Sequence, residues 1–257
     1  MTDKNMLSYY QILAISYISV LVIWWMLLYR FPGNLMGTKN HLIKRPWAQS
    51  GLIILAALFT ILIGKLYTAG YLLPKFEIGQ IHVSEGINQL LIYAPFPLFV
   101  FFSRQSFSSV WLTPKNWYVR LSIGFALSLL AISIFTVLEG QSITISLLGD
   151  LFHLKNLDFG VQIFMEDFAI ALLLSRLVAA LGKKYFIVAL SIVAVLFALS
   201  HIPYNLQQGE PLQTIILDRT FDASLTFIIA YLLYYSKDFL WFFPIHYAMD
   251  MMQFHFN

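Results

Sequence analysis

Apolar residues in this chain gather into long runs that are separated by shorter polar stretches. A transmembrane helix needs roughly 20 predominantly apolar residues, with a range of about 17–25. Eight runs are candidate membrane spans, some of them short: residues 9–29, 51–73, 87–102, 121–138, 159–180, 185–202, 223–235 and 239–254. The pattern therefore predicts an all-α, polytopic integral membrane protein with about eight transmembrane helices.

Composition supports a membrane protein and excludes several other classes. Hydrophobic residues make up 59% of the 257 residues and charged residues 11%, whereas a soluble domain is nearer 45–50% apolar and about 25% charged. The chain contains no cysteine, so disulfides, thiolate metal sites and a cysteine nucleophile are excluded. A net charge of +3 is weak evidence for nucleic acid, and we expect no nucleic-acid partner. The expected surroundings are the lipid bilayer.

Two adjacent carboxylates, Glu166 and Asp167, lie inside the fifth apolar run. A charged side chain at the centre of a bilayer costs about 2.5–3.5 kcal/mol on insertion scales. Neighbouring helical residues point about 100° apart, so one carboxylate can face a cavity while the other meets an adjacent helix. A neutral carboxyl that hydrogen-bonds between helices is the alternative, but two acids in succession favour a functional site.

Three imidazole and carboxyl groups on later runs complete the set of candidates. His201 ends the sequence Phe197-Ala-Leu-Ser-His201 near the end of the sixth run, where an interfacial capping role is the alternative. His246 and Asp250 are four residues apart in the last run, so a helix places them on one face. Such a carboxylate can fix the tautomer of the imidazole and raise its basicity; an internal ion pair is the alternative.

Two imidazoles and a carboxylate can activate water in two ways. Glu166, His201 and His246 could hold a metal such as zinc with open coordination positions. Alternatively, Glu166 could act as the general base while the histidines stabilise an oxyanion. We favour the second, metal-free mechanism and predict no cofactor, because Asp250 is better suited to orienting His246 than to binding metal. Both schemes predict hydrolysis within the membrane.

The order of these motifs resembles the CPBP family, the CAAX-protease and bacteriocin-processing (Abi-type) intramembrane proteases. The family pattern is Glu-Glu-x-x-x-Arg, then Phe-x-x-x-His, then His-x-x-x-Asn/Asp on separate helices. Phe197 to His201 and His246 to Asp250 match the second and third elements. The resemblance covers about residues 158–257, so we divide one membrane domain into N-terminal helices, 1–157, and a CPBP-like catalytic core, 158–257.

By resemblance, Glu166, His201, His246 and Asp250 are the expected catalytic residues, with Asp167 and Phe197 in support. The resemblance implies an intramembrane endopeptidase in the bacterial plasma membrane that cleaves a membrane-embedded or lipid-anchored peptide or protein. The first motif departs from the pattern, because Ala171 stands where the family has arginine. Lys65 or Arg219 could replace that arginine from another element; Arg176 lies too far along the helix, roughly 15 Å from Glu166.

Other functions remain open on the sequence. The missing arginine favours a catalytically impaired scaffold or regulator of the same fold, or a bacteriocin self-immunity protein. A proton-coupled transporter could relay protons through the same acids and histidines, but no inverted repeat is visible. A haem protein that uses His201 and His246 is disfavoured because the two residues are expected at unequal depths. The sequence leaves the oligomeric state open.

Overall fold

Each of the eight apolar runs overlaps a helix or a bent pair of helices. The structure is a computed structural model that describes residues 3–37 and 43–256. Its helices are α1 Asp3–Arg30, α2 Pro32–Leu35, α3 Pro46–Thr68, α4 Val83–Tyr93, α5 Pro95–Phe102, α6 Trp117–Leu138, α7 Ile145–Leu151, α8 Leu157–Leu181, α9 Phe186–Gln207, α10 Leu212–Ser236 and α11 Phe243–Phe256. Within these residues there is no β-strand, only an isolated bridge between Ile78 and Ile81. The prediction of an all-α polytopic membrane protein is confirmed.

Fewer helices pass a strict test for membrane crossing than the eight predicted spans. Among residues 3–37 and 43–256, four helices are long and apolar enough, namely α1, α3, α6 and α9, and the number is five if α4 and α5, bent by 54°, form one span. Polar content and length explain the difference. Helices α8 and α10 each contain at least three charged residues, and α11 has 14 residues.

Helix α8 lies at the centre of the bundle. It packs against α3, α4, α9, α10 and α11, so that 12 of its 25 residues are buried, including Glu166, Asp167 and Arg176. The helix ends where Gly182 adopts a φ of +82°, which glycine reaches without the penalty that a Cβ imposes. A helix surrounded by other helices can hold charged groups because they face protein and not lipid.

The turn between α10 and α11 is fixed to the N-terminal helices, and this sets the position of α11. The carboxylate of Asp238 lies 3.0 Å from the guanidinium of Arg120, and both side chains are fully buried. Trp241 stacks on Trp24 of α1 with ring centroids 4.4 Å apart. These contacts hold the first turn of α11 against α1 and α6, and therefore position His246 one turn further on.

Gly124 of α6 lets the turn between α10 and α11 approach α6 closely. Replacing Gly124 is expected to displace that turn. A Cβ at Gly124 would lie 2.3 Å from the carbonyl oxygen of Trp241, whereas a Cβ at Gly51 of α3 meets nothing within 4 Å. Gly124→Ala is expected to lower the free energy of unfolding by about 1–3 kcal/mol. Gly51→Ala, the matched control, should be neutral or stabilise by about 0.5–1 kcal/mol. Unfolding in mixed micelles titrated with sodium dodecyl sulfate measures both, and equal stabilities would contradict this packing.

Lys237, in the same turn, is expected to make stability depend on pH. Its ammonium lies 3.6 Å from the ring centroid of Tyr234 and 4.5 Å from that of Trp111. Burial, followed by the charge of Lys183, lowers the pKa of Lys237 from 10.5 to about 7. Unfolding then takes up a proton between these two pKa values, so the stability contributed by this group rises with pH across that window.

The corresponding test replaces the amine by an apolar side chain of similar length. From pH 7 to pH 9 the unfolding free energy of the unsubstituted protein should rise by about 2 kcal/mol through this group. In Lys237→Met that part of the rise should vanish. A rise of the same size in both proteins would show that other groups cause it.

Candidate functional site

Glu166 is held by two hydrogen bonds on one carboxylate oxygen. The hydroxyl of Tyr93, from α4, donates to Glu166 Oε1 at 2.7 Å, and Gln162 Nε2, one turn earlier on α8, donates to the same oxygen at 3.0 Å. Only 7% of Glu166 is exposed. The carboxylate is thus fixed through Oε1 between α8 and α4, and Oε2 receives neither of these bonds.

Asp167 points to a different neighbour, α11, where it contacts His246. Asp167 Oδ1 lies 2.9 Å from His246 Nδ1, and both residues are buried. Asp250 Oδ2 lies 3.6 Å from Nε2 on the other edge of the ring. The sequence interpretation had assigned the orientation of His246 to Asp250. The structure gives the hydrogen bond to Asp167 instead, because the packing of α8 against α11 brings Asp167 to the ring edge opposite Asp250.

Asp250 is also anchored from the N-terminal helix. Gln253 Nε2 donates to Asp250 Oδ1 at 3.3 Å, and Gln253 Oε1 accepts a hydrogen bond from the hydroxyl of Tyr9 at 3.0 Å. The imidazole of His246 stacks on Phe242 with centroids 5.2 Å apart. These contacts restrict the rotation of the His246 and Asp250 side chains.

His201 faces its own helix. Its Nδ1 lies 2.9 Å from the carbonyl oxygen of Phe197, and the two rings meet edge to face at 4.8 Å. If Nδ1 donates to that carbonyl, Nε2 is the nitrogen left to accept a proton or a ligand. His201 lies within electrostatic reach of Asp222 on α10, as do Glu166 and His246. Three of the four expected catalytic residues, Glu166, His201 and His246, therefore interact electrostatically with the same acidic residue.

Asp222 was not among the residues predicted from the sequence. It forms an ion pair with Arg219 at 2.9 Å and lies within electrostatic reach of His246 and Asp250. The apolar run was predicted at 223–235, so Asp222 fell just outside it. In the structure α10 begins at Leu212, which places the charged turn 218–222 inside a helix that faces the site.

A cavity of about 60 Å³ lies beside His246. The residues that line it come from α1, α8, α9, α10 and α11 and include Tyr17, Phe197, Asp222, Asp250 and His246. Glu166 and His201 interact electrostatically with Asp222 but do not line the cavity themselves. Of the predicted catalytic residues, Asp250 and His246 thus line the cavity, whereas Glu166, which accepts from Tyr93, and His201 do not.

The structure does not place a basic residue where the family resemblance expects arginine. Ala171 is completely buried in the core. Arg176 donates to the carbonyl oxygen and hydroxyl of Ser109 at 2.5 and 2.9 Å, Arg219 pairs with Asp222, and Lys65 borders a separate groove. Arg176, Arg219 and Lys65 therefore each lie elsewhere than the position that the motif assigns to its arginine.

The donor set does not fit a metal ion. Within the described part of the chain, no group of three or more His, Asp or Glu side chains has the geometry to hold one. Both nitrogens of His246 face carboxylates, and Nδ1 of His201 faces a carbonyl. We therefore derive no chemistry through zinc or any other metal.

Comparisons with known proteins give no match to a family model, to a curated protein or to a solved structure.

Proposed function

We propose that this integral membrane protein is an intramembrane endopeptidase of the CPBP type, located in the bacterial plasma membrane. Its substrate would be a membrane-embedded or lipid-anchored peptide or protein. The observation that supports this most is the 2.9 Å contact between Asp167 and His246. It joins the acid pair of α8 to the imidazole of α11, two elements that the sequence motifs assign to one catalytic centre.

In the proposed reaction Glu166 is the general base. Tyr93 and Gln162 both hold Oε1, which leaves Oε2 to accept a proton from water as the water oxygen attacks the peptide carbonyl carbon. The C–N bond then breaks, and the proton passes from Glu166 to the leaving amine nitrogen. A positioned base of this kind contributes about 10²–10⁴-fold to a rate.

His246 would stabilise the oxyanion that forms in this attack. Asp167 accepts from Nδ1 and so directs a protonated imidazole with Nε2 toward Asp250 and the cavity. His201, whose Nδ1 donates to the Phe197 carbonyl, would be the second donor through Nε2 once that nitrogen has taken up a proton. Donors held in place before the reaction stabilise developing charge in a site that excludes water.

A non-catalytic membrane scaffold is the second candidate, and Ala171 is the observation that favours it. The family arginine is replaced by a small side chain that fills the core, so within the described part of the chain the cationic partner of Asp167 at hydrogen-bond distance is His246 alone. A scaffold would bind a peptide or protein in the same region without cleaving it.

Glu166→Gln separates the two functions. Glutamine keeps the shape and the acceptor oxygen toward Tyr93 but cannot take a proton from water. In a strain that lacks this protein, Glu166→Gln should fail to restore the phenotype, whereas Glu139→Gln, at the partly exposed end of α6, should restore it fully. Equal membrane levels of the two proteins, checked by immunoblot, exclude a folding defect. Full restoration by Glu166→Gln would reject the peptidase in favour of the scaffold.

A further inference from the structure

We infer that the cavity beside His246 binds a primary alkylammonium group, as presented by a lysine side chain or by the free amino end of a peptide. This inference concerns recognition, and an ammonium group can bind whether or not a peptide is cleaved. Only its interpretation as substrate selection rests on the proposed endopeptidase function.

The charge around the cavity favours a cation. The carboxyl groups that interact electrostatically there outnumber the basic ones. The acids are Glu166, Asp167, Asp218, Asp222 and Asp250, and the bases are Arg219, His201 and His246. Arg219 already pairs with Asp222, and the single imidazole of His246 lies between the carboxylates of Asp167 and Asp250. A buried carboxylate is costly unless it is paired or protonated, so the surplus of acid creates a place for a positive ligand.

Two buried hydroxyl groups on the cavity wall point independently to a ligand. Tyr17 is 2% exposed and Thr226 is 4% exposed, and both line the cavity. Among the described residues, no hydrogen bond joins either hydroxyl to another group, and neither oxygen is closed off from the cavity. Buried polar groups are nearly always hydrogen-bonded. The Tyr17 phenol lies within electrostatic reach of Asp250, Asp222 and Asp167, so an ammonium beside these acids can also donate to a hydroxyl oxygen.

The apolar part of the wall selects the kind of cation. Phe197, Phe221 and Phe242 line the same cavity, and aromatic rings attract ammonium groups through their π faces. A volume of about 60 Å³ exceeds the 10–15 Å³ or so that one water requires, which leaves room for an ammonium head and its adjoining methylene. The described residues contain no cluster that suits a metal ion. Carboxylates, hydroxyls and aromatic faces together fit an organic ammonium group better than a bare metal cation.

Binding can be measured on the full chain in nanodiscs of phosphatidylcholine at constant sodium chloride. The probe is n-butylammonium at pH 6.5, with butyrate as the anionic control of equal length. We expect saturable binding of butylammonium by calorimetry and none of butyrate. Nα-acetyl-lysine amide and leucine amide then distinguish a lysine ammonium from an amino-terminal one.

Variants locate the site. Because hydrogen bonds to charged groups are worth about 1.5–3 kcal/mol, Asp250→Asn and Asp222→Asn should each weaken butylammonium binding about tenfold or more. Thr226→Val keeps the shape of the side chain and should weaken butylammonium binding several-fold. This variant tests the site even if an aspartate variant fails to fold. Asp150→Asn, at an exposed position, should leave butylammonium binding unchanged.

Three outcomes would overturn the inference. They are the absence of saturable butylammonium binding, equal binding of butyrate, and displacement by potassium at concentrations similar to those of butylammonium. Failure of the endopeptidase is distinguished by Glu166→Gln, which should abolish hydrolysis and leave butylammonium binding measurable. Butylammonium binding by an unsubstituted protein that cleaves no peptide bond would therefore reject the proposed function alone.

Discussion

Asp167→Ala is expected to destabilise the protein by about 3–5 kcal/mol, the range for a buried ion pair that loses one partner. The substitution leaves His246 Nδ1 without its 2.9 Å acceptor in the interior of the bundle. Titration with sodium dodecyl sulfate in mixed micelles measures the loss. Asp150→Ala, which removes an exposed carboxylate, should change stability by less than about 0.5 kcal/mol.

A double-mutant cycle assigns this loss to the contact itself. His246→Ala and the double variant complete the cycle with Asp167→Ala, and a coupling energy of about 0.5–3 kcal/mol is expected for residues in direct contact. Asp167→Asn should be milder than Asp167→Ala because an amide oxygen still accepts from Nδ1. Strict additivity of the two alanine variants would show that α8 and α11 are not joined through this pair.

Arg176→Met is expected to have the second large effect. It should lower the free energy of unfolding by about 3 kcal/mol or more, since several acceptors in the interior lose a charged donor at once. Arg176 is fully buried and binds Ser109, Ser175, Gln49 and Gln105. It therefore connects α8 to α3 and to the segment before α6. Arg176→Lys should be less destabilising than Arg176→Met, because lysine keeps the positive charge and some of the hydrogen bonds. Arg104→Met, at an exposed position, should be nearly neutral. A small loss for Arg176→Met would contradict the role of this residue as an anchor of α8.

The helices were predictable because each apolar run is long enough to bury a helix in lipid or in its neighbours. The site was predictable only in part. Glu166 and His246 stand out because charge inside an apolar run is costly. The partner of His246 was not predictable, since spacing along one helix points to Asp250, while the rotation of α8 that presents Asp167 depends on tertiary packing.

Two further features depend on contacts distant in sequence. Asp222 lies at the polar edge of an apolar run, where composition alone favours a connection and not a helix. Arg176 had been considered only as a substitute for the motif arginine, and its partners Ser109 and Gln49 lie 67 and 127 residues away. Such contacts follow from how α8 packs between its neighbours, which no local pattern encodes.

The most direct test of the proposed function is peptide-bond hydrolysis by the purified protein. The full chain in nanodiscs would be incubated with membrane proteins from cells that lack it, and new amino termini would be identified by mass spectrometry. We expect a defined set of new termini with the unsubstituted protein and with Glu139→Gln, and their loss with Glu166→Gln at equal protein concentration and stability. The same termini at the same rate with Glu166→Gln, or no new termini with any of the three proteins, would contradict an endopeptidase that uses Glu166 as its base.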